Sequence, residues 1–549
     1  VIFFTTDDAA LGTEFPEKPT FVNSVLNSVS SVVKTIFLLF ATGLAFAACS
    51  SGPKTDASGL PQPSKLSGEQ LARQHCGSCH LFPEPALLPK KVWEKGVLPA
   101  MRVRLGLDLD RLYDRVPFEE LTQLLNAHAY PDRPQLTEAD FQKIAAFYRK
   151  AAPDTLLPAQ PAGPVGTGLP QFEPTFYRMP VNRGPYVTKV LIQPETRRLF
   201  VGDQSGRVRM FDPTLRLLDS LKAETAVSDL LPQPNGPAWV LTMGIMPPND
   251  LDQGGLFDCS PKTAPKRLLG KLRRPVQVTR ADLNGDGQPD ALVCGYGNNL
   301  GQLAWYEVGP GKSPQPHVLA DRPGARCAYV TDLNHDGRPD VVALMAQALE
   351  GVSVFYNEGG GEFREEVLLS FPPVYGSSYL SLVDFDRDGD LDLLYTNGDN
   401  ADYSVVPKPY HGVRLFLNDG QNHFQQGWFY PLNGVQQAEA RDFDGDGDLD
   451  LAVIAFFPDL KNQRQGFAYL ENKGDWRFTA RTFAGAEQGR WLTMTAGDFD
   501  GDGDDDLVLG SYLRPNATRE SLPAMPPNGL PEFVLLKNTG KSVRATAAR

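Results

Sequence analysis

The sequence predicts a multidomain protein, a small all-α domain followed by an all-β propeller of seven blades with Asp-rich loops. Three observations predict it. Apolar residues follow helical spacing over 66–152, then change from about 185 to short β runs separated by turns. An Asp-rich segment recurs five times in the second region, at intervals of 50 to 58 residues. Between the two, 153–184 holds Pro153, Pro158, Pro161, Pro164 and Pro170 with several Gly, and reads as a linker. A chain of 549 residues is too long for one ordinary domain, and its 51 Gly and 47 Pro favour turn-rich β structure. The net charge of −13, with no basic stripe to offset it, argues against nucleic acid as a partner.

Residues 1–48 read as a signal region. The apolar run 36–48 is shorter than the roughly 20 residues that cross a bilayer. It follows Lys34 and ends in Phe46-Ala47-Ala48-Cys49, the order of a charged, an apolar and a small-residue segment. An initiator at Val32 or Val33, read as Met, would leave a short basic start. Cys49 after small residues resembles the lipobox of bacterial lipoproteins, with Phe46 where that family usually has Leu. The resemblance implies export, lipidation of Cys49 and a membrane anchor, periplasmic or at the outer membrane or cell surface. A plain secretory signal is the alternative. Residues 49–65, rich in Ser, Gly and Pro, form the tether.

The helical region 66–152 opens with Ser67-Gly68-Glu69-Gln70, a capping-box pattern. Further helices are expected over 89–103 and 117–129. Thr137 caps a last one carrying Phe141, Ile144, Ala145 and Tyr148 at helical spacing.

Within this region stands Cys76-Gly77-Ser78-Cys79-His80. Two thiols three positions apart can each add to a porphyrin vinyl group, and the imidazole that follows can lie under the iron. A redox dithiol would follow a strand, and a zinc ribbon would need a second Cys pair; the next cysteine is Cys259. The stretch resembles the haem site of class I cytochromes c, which implies one covalent haem c and single-electron transfer. Met101 is the candidate sixth ligand. His128 and a five-coordinate iron are its rivals. His75 reads as a solvated flank.

The repeat after the linker is Asp-x-Asx-x-Asp-Gly-x-x-Asp. Its candidate ligands are Asp282, Asn284, Asp286 and Asp290, then Asp332, Asn334, Asp336 and Asp340. They recur as Asp384, Asp386, Asp388 and Asp392, as Asp442, Asp444, Asp446 and Asp450, and as Asp498, Asp500, Asp502 and Asp506. Oxygen donors at positions 1, 3 and 5 with Gly at 6 suit Ca²⁺, so about five structural calcium ions are expected. β-rich sequence flanks each loop, so each joins two strands of one sheet. A third strand ends in turns such as Tyr356-Asn357-Glu358-Gly359 and Leu417-Asn418-Asp419-Gly420. Four-stranded units of this length are propeller blades. Two units without the loop, 187–211 and 227–257, come first, which makes seven blades over 185–541, with six or eight as the alternatives, before a tail, 542–549. The repeats resemble the FG-GAP/VCBS family, whose propellers include integrin α-subunit heads, although the literal Phe-Gly and Gly-Ala-Pro segments are absent.

Cys259, Cys294 and Cys327 leave an odd three, hence at most one disulfide and a free thiol. The long loops 399–411, 458–466 and 514–531 should share the face opposite the Asp loops, with Tyr403, Tyr410 and His411 as candidate contacts. The functional expectation is an exported, membrane-anchored c-type cytochrome whose propeller binds a redox partner protein or another ligand. Electron transfer is favoured over catalysis. One alternative is a haem-linked propeller dehydrogenase acting on a sugar or alcohol. The tryptophan repeats and adjacent cysteine pair of quinohaemoprotein dehydrogenases are missing, and His317, His335, His411 and His423 are scattered. Another is a surface module gripping a glycan or a protein.

Overall fold

The structure, a computed structural model, describes residues 59–540 apart from 158, 160, 162–164, 180–183, 234–235, 260–263, 310–311, 313, 400–405, 460–462 and 514–528. Cys49 and its tether, Tyr403 and most of the loop 514–531 lie outside the described residues. Among the described residues no helix is long and apolar enough to cross a membrane.

The first part is helical. Helix α1 (Gly68–Cys76) starts on the expected capping box: Ser67 accepts from the Gln70 backbone and the Gln70 side chain accepts from that of Ser67. The expected helix over 89–103 is broken into α2 (Lys90–Val92), a π turn (Trp93–Val97) and α3 (Leu98–Arg104). Pro99 has no N–H to give to the carbonyl one turn back, and the Leu98 N–H bonds five residues back to Trp93 instead. After α4 (Asp110–Arg115) and α5 (Phe118–Asn126) comes α6 (Glu138–Ala151), capped by the Thr137 hydroxyl. Helices α1 and α6 cross with Leu71 and Ala72 buried in one cluster with Phe141, Ile144, Ala145 and Tyr148. Gly68 permits the crossing, because a Cβ there would lie 2.1 Å from the Lys143 carbonyl oxygen.

The second part is seven sheets, one per blade. First strands of successive blades pack on one another around the axis, the seventh, Trp491–Gly497, against the first, Val187–Gln193. Polar side chains on these strands staple the ring. Asp229 accepts from the Val278 N–H at 3.0 Å, and Gln277 from the Ala328 N–H at 2.5 Å. Tyr329 donates to the Leu380 carbonyl at 2.6 Å, and Ser378 to that of Val435 at 2.9 Å. Gln437 bonds both backbone groups of Met494, and Lys189 pairs with Asp229 at 2.9 Å. An apolar layer fills each gap between neighbouring sheets; Val187 and Val190 of the first blade meet Val508 and Phe533 of the seventh.

The seventh blade completes its sheet with Phe172–Tyr177, paired antiparallel with Phe533–Asn538. The propeller thus begins inside the stretch read as linker, ahead of the expected 185. Gly166–Thr167 adds a parallel fifth strand to blade six. Pro174 sits within the closing strand, which it can because the strand lies at a sheet edge.

The helical part rests on the face formed by second-to-third-strand loops, opposite the Asp loops. Glu120 of α5 accepts from the Asp250 N–H at 2.9 Å. The buried Asp250 carboxylate gathers the N–H groups of Asn298, Asn299 and Leu300 at 2.9, 2.5 and 2.7 Å. Arg104 donates to Asn299, the Tyr410 hydroxyl donates to the Leu87 carbonyl at 3.0 Å, and Val374 and Val406 pack against the helical core.

Replacing Gly68 by Ala forces α1 and α6 apart. A loss of about 1–3 kcal/mol is expected, measured as urea unfolding followed by the helical circular-dichroism signal; unchanged stability would contradict this account of the crossing.

Candidate functional site

Helix α1 ends at Cys76, and the chain bends through Gly77 and Ser78 so that Cys79 stands exposed and His80 half-buried after it. Both thiols are free, Cys76 half-buried and Cys79 exposed. Burial pushes the Cys76 thiol up to about 11, so it is protonated at neutral pH. Burial lowers the His80 pKa and keeps its ring neutral. Its Nδ1 lies 2.9 Å from the Leu81 carbonyl oxygen, which can only accept. Nδ1 therefore carries the proton, and Nε2 presents a lone pair.

Cys76 and Phe82, at this turn, are partly buried against the helical core, and so are Met101, Leu105 and Leu107. Met101 lies on α3. His128 lies beyond α5, 76% exposed and 3.8 Å from Asp132. Two thiols and an imidazole whose Nε2 presents a lone pair, brought together in one turn, are a donor set that fits an iron porphyrin.

The Asp loops join first and second strands in blades three to seven. In the last three, one oxygen each from Asp384, Asp386 and Asp388, from Asp442, Asp444 and Asp446, and from Asp498, Asp500 and Asp502 lie within 4.8 Å of one another. One buried oxygen of Asp384 has no hydrogen-bond partner. Burial and then the neighbouring carboxylate raise the pKa of Asp386 and of Asp444, the signature of negative charge held together at a cost. A hard cation fits these three clusters. The first two loops have Asn284 and Asn334 in the middle, and a cation of the chain sits on the fifth position. Lys312 is 3.6 Å from Asp286, and Arg338 is 2.5 Å from Asp336. Lys537 pairs with Asp500 in the last loop as well. Gly287, Gly337, Gly389, Gly447 and Gly503 at the sixth position have φ between +79° and +100°. Their Cβ positions open on space or distant contacts, so glycine is required there by the backbone and not by crowding.

The ninth-position carboxylates, expected among the ligands, also accept hydrogen bonds from the chain. Asp290, Asp340, Asp392 and Asp506 are buried, and one oxygen of each accepts from the N–H of the loop's second residue. In blade six the Tyr469 hydroxyl takes that place on Asp450 at 2.6 Å. The other oxygen of Asp340, Asp392, Asp450 and Asp506 accepts from the backbone of Asn357, Asn418, Asn472 and Asn538 on the third strand.

Sequence reasoning missed what these asparagines do. Each donates to the carbonyl just before the buried Asp, at 3.1 to 3.3 Å, and accepts from the Gly two residues on. Asn357 and Asn538 also donate across to the preceding blade, to Leu283 at 3.0 Å and Phe443 at 2.7 Å. The signal was present in the recurrence of Asn two residues before Gly.

Of the other candidates, Tyr410 is spent on the contact with the helical part, and His411 is 1% exposed with neither ring nitrogen hydrogen-bonded. His317 stacks on Trp305 at 3.8 Å, and His423 lies 3.0 Å from Asp419 on an exposed turn. Cys259, Cys294 and Cys327 are buried free thiols, so the one disulfide that the count allowed is not formed among the described residues.

The FG-GAP-like repeat family model matches residues 282–343, 332–395 and 442–509, so blades three, four and six carry such repeats. Cartilage acidic protein 1 of Mus musculus and of Homo sapiens is 25% identical over 257 residues, 42% of this chain. The match spans 38% and 37% of those proteins' own lengths. Among solved structures, one of S. cerevisiae Dbp5 bound to Nup159, Gle1, IP6 and ADP is similar with a TM-score of 0.39 and 10% identity, covering 69% of this chain and 98% of that one. A crystal structure of BBS1N in complex with ARL6DN gives 0.41 and 9%, covering 68% and 97%.

Asn538→Ala removes bonds to two buried carbonyls, one of them in the neighbouring blade. The expected loss is about 2–3 kcal/mol, read from chemical denaturation; a change below ~0.5 kcal/mol would show that the asparagine is not a staple.

Proposed function

We propose that this protein is an exported, membrane-anchored electron-transfer protein. Its helical part holds one covalent haem c, and its FG-GAP-type propeller binds a redox partner or another ligand. The observation that carries the reading is the His80 ring. Its proton is held on Nδ1 by the Leu81 carbonyl and its Nε2 is free, beside two unpaired thiols. Cys76 and Cys79 would fasten the porphyrin by thioether bonds, and His80 and Met101 would hold its iron. When bound, the haem supplies one-electron exchange at its iron. The chain's own part is to exclude water with Phe82 and to keep the imidazole in one tautomer. Lipidation at Cys49 would keep the molecule at a membrane surface.

The propeller's part in this reading is support and docking. Calcium would occupy the loops at Asp384, Asp442 and Asp498, where three carboxylates converge. The loops at Asp282 and Asp332 would bind it more weakly, since Asn replaces one carboxylate and Lys312 or Arg338 already neutralises another. Ions there relieve repulsion that the folded chain otherwise bears, so binding and folding are coupled.

Mature protein made in a host that assembles c-type cytochromes should be red. It should show one haem per chain, and haem staining should persist on a denaturing gel. Joint replacement of Cys76 and Cys79 by Ala should abolish the staining, and a colourless wild-type protein would end this reading. Separately, chelation should lower the thermal midpoint by several degrees, and calcium should restore it. Titration should count at least three ions per chain. An unmoved midpoint would remove calcium from the account.

A further inference from the structure

The turn after His80 is held from two sides by buried aromatic donors that the haem reading does not use. Tyr148 of α6 donates its hydroxyl to the Pro83 carbonyl at 2.9 Å. Trp93 of the π turn donates its indole N–H to the Pro85 carbonyl at 2.9 Å. The two rings lean on each other, centroids 4.3 Å apart and planes at 38°, and both side chains are 1% exposed. Arg73 of α1 closes a third side, over the Phe82 ring at 4.5 Å and paired with Glu84 at 3.2 Å. Pro83 and Pro85 are themselves buried, and each has its φ locked by its ring. The segment from Leu81 to Pro85 is thus fixed at alternate carbonyls, and its first carbonyl is the one that takes the proton of His80 Nδ1.

Resting on the haem reading above, we propose that Tyr148 and Trp93 are positioning residues for His80. By clamping the 81–85 segment they hold the Leu81 carbonyl against Nδ1–H. That bond makes the imidazole more basic and so a stronger donor through Nε2. A stronger donor stabilises the oxidised iron and keeps the reduction potential down. The Tyr148 hydroxyl also lies beside Cys76, so one side chain touches the start of the attachment motif and the segment that follows it.

The test is the midpoint potential of the purified, haem-loaded full chain. Tyr148→Phe keeps the ring and removes only the donor. It should leave haem attachment intact and raise the potential by a tenfold shift in the redox equilibrium, about 59 mV for one electron. Exogenous imidazole should also bind the oxidised form more tightly. Trp93→Phe should act in the same direction, and it serves in place of Tyr148→Phe if that variant does not accumulate. Phe141→Leu loosens the core that Phe141 shares with the clamp but removes neither donor, and it should lower the thermal midpoint with the potential unmoved. Redox equilibria shifted less than twofold from wild type in both clamp variants, with haem attached, overturn the inference alone. A wild-type chain without covalent haem overturns the reading beneath it as well.

Discussion

A carboxylate buried at the start of the second strand organises the propeller more than any other group. In blades four, five and seven it accepts one N–H from the loop before it and another from the third strand beside it. Three successive pieces of chain are thereby held by one side chain. An aspartate buried without such partners would cost several kcal/mol; with them, the same cost becomes a penalty on every other register. Burial raises Asp340 and Asp392 above the ordinary carboxylate range and brings Asp450 and Asp506 to about 7, which measures how dry these positions are.

From that anchor the rest of a blade follows. The asparagine on the third strand satisfies the carbonyl next to the Asp and turns the chain through its glycine, and in two blades it reaches the neighbour. Around the axis, side chains of the first strands bond to the backbone of the next blade. The apolar layers between sheets supply most of the stabilisation, as burial of this extent must. The polar bonds choose which packing that stabilisation serves.

What was legible in the sequence was whatever repeats or obeys a local rule. Five Asp loops set the period of the blades, and two weaker units completed the count. Ser67 with Gln70, and Thr137, marked two helix starts where the structure has them. Less visible was anything that depends on residues far apart. Phe172–Tyr177 is short, contains a proline and has its partner at the other end of the chain, so no periodicity exposes it. The broken helix at Pro99 follows a local rule that the reading over 89–103 passed over. Asp250, which knots a propeller loop under the helical part, sits in a stretch with no pattern at all. In the candidate sites the residue types were readable. The tautomer of His80 and the double duty of the ninth-position aspartates required coordinates.

The strand that closes the ring has a consequence for synthesis. Phe172–Tyr177 leaves the ribosome before any blade exists, while its partner Phe533–Asn538 leaves after all the others. Throughout the interval the nascent chain carries two bare sheet edges, the early strand and the flank of the first blade. Exposed edges invite pairing with strangers. Polypeptide threaded through a membrane in an extended form would meet that hazard in the receiving compartment. Whatever the compartment, a half-built wheel stays open to such pairing until its final spoke arrives.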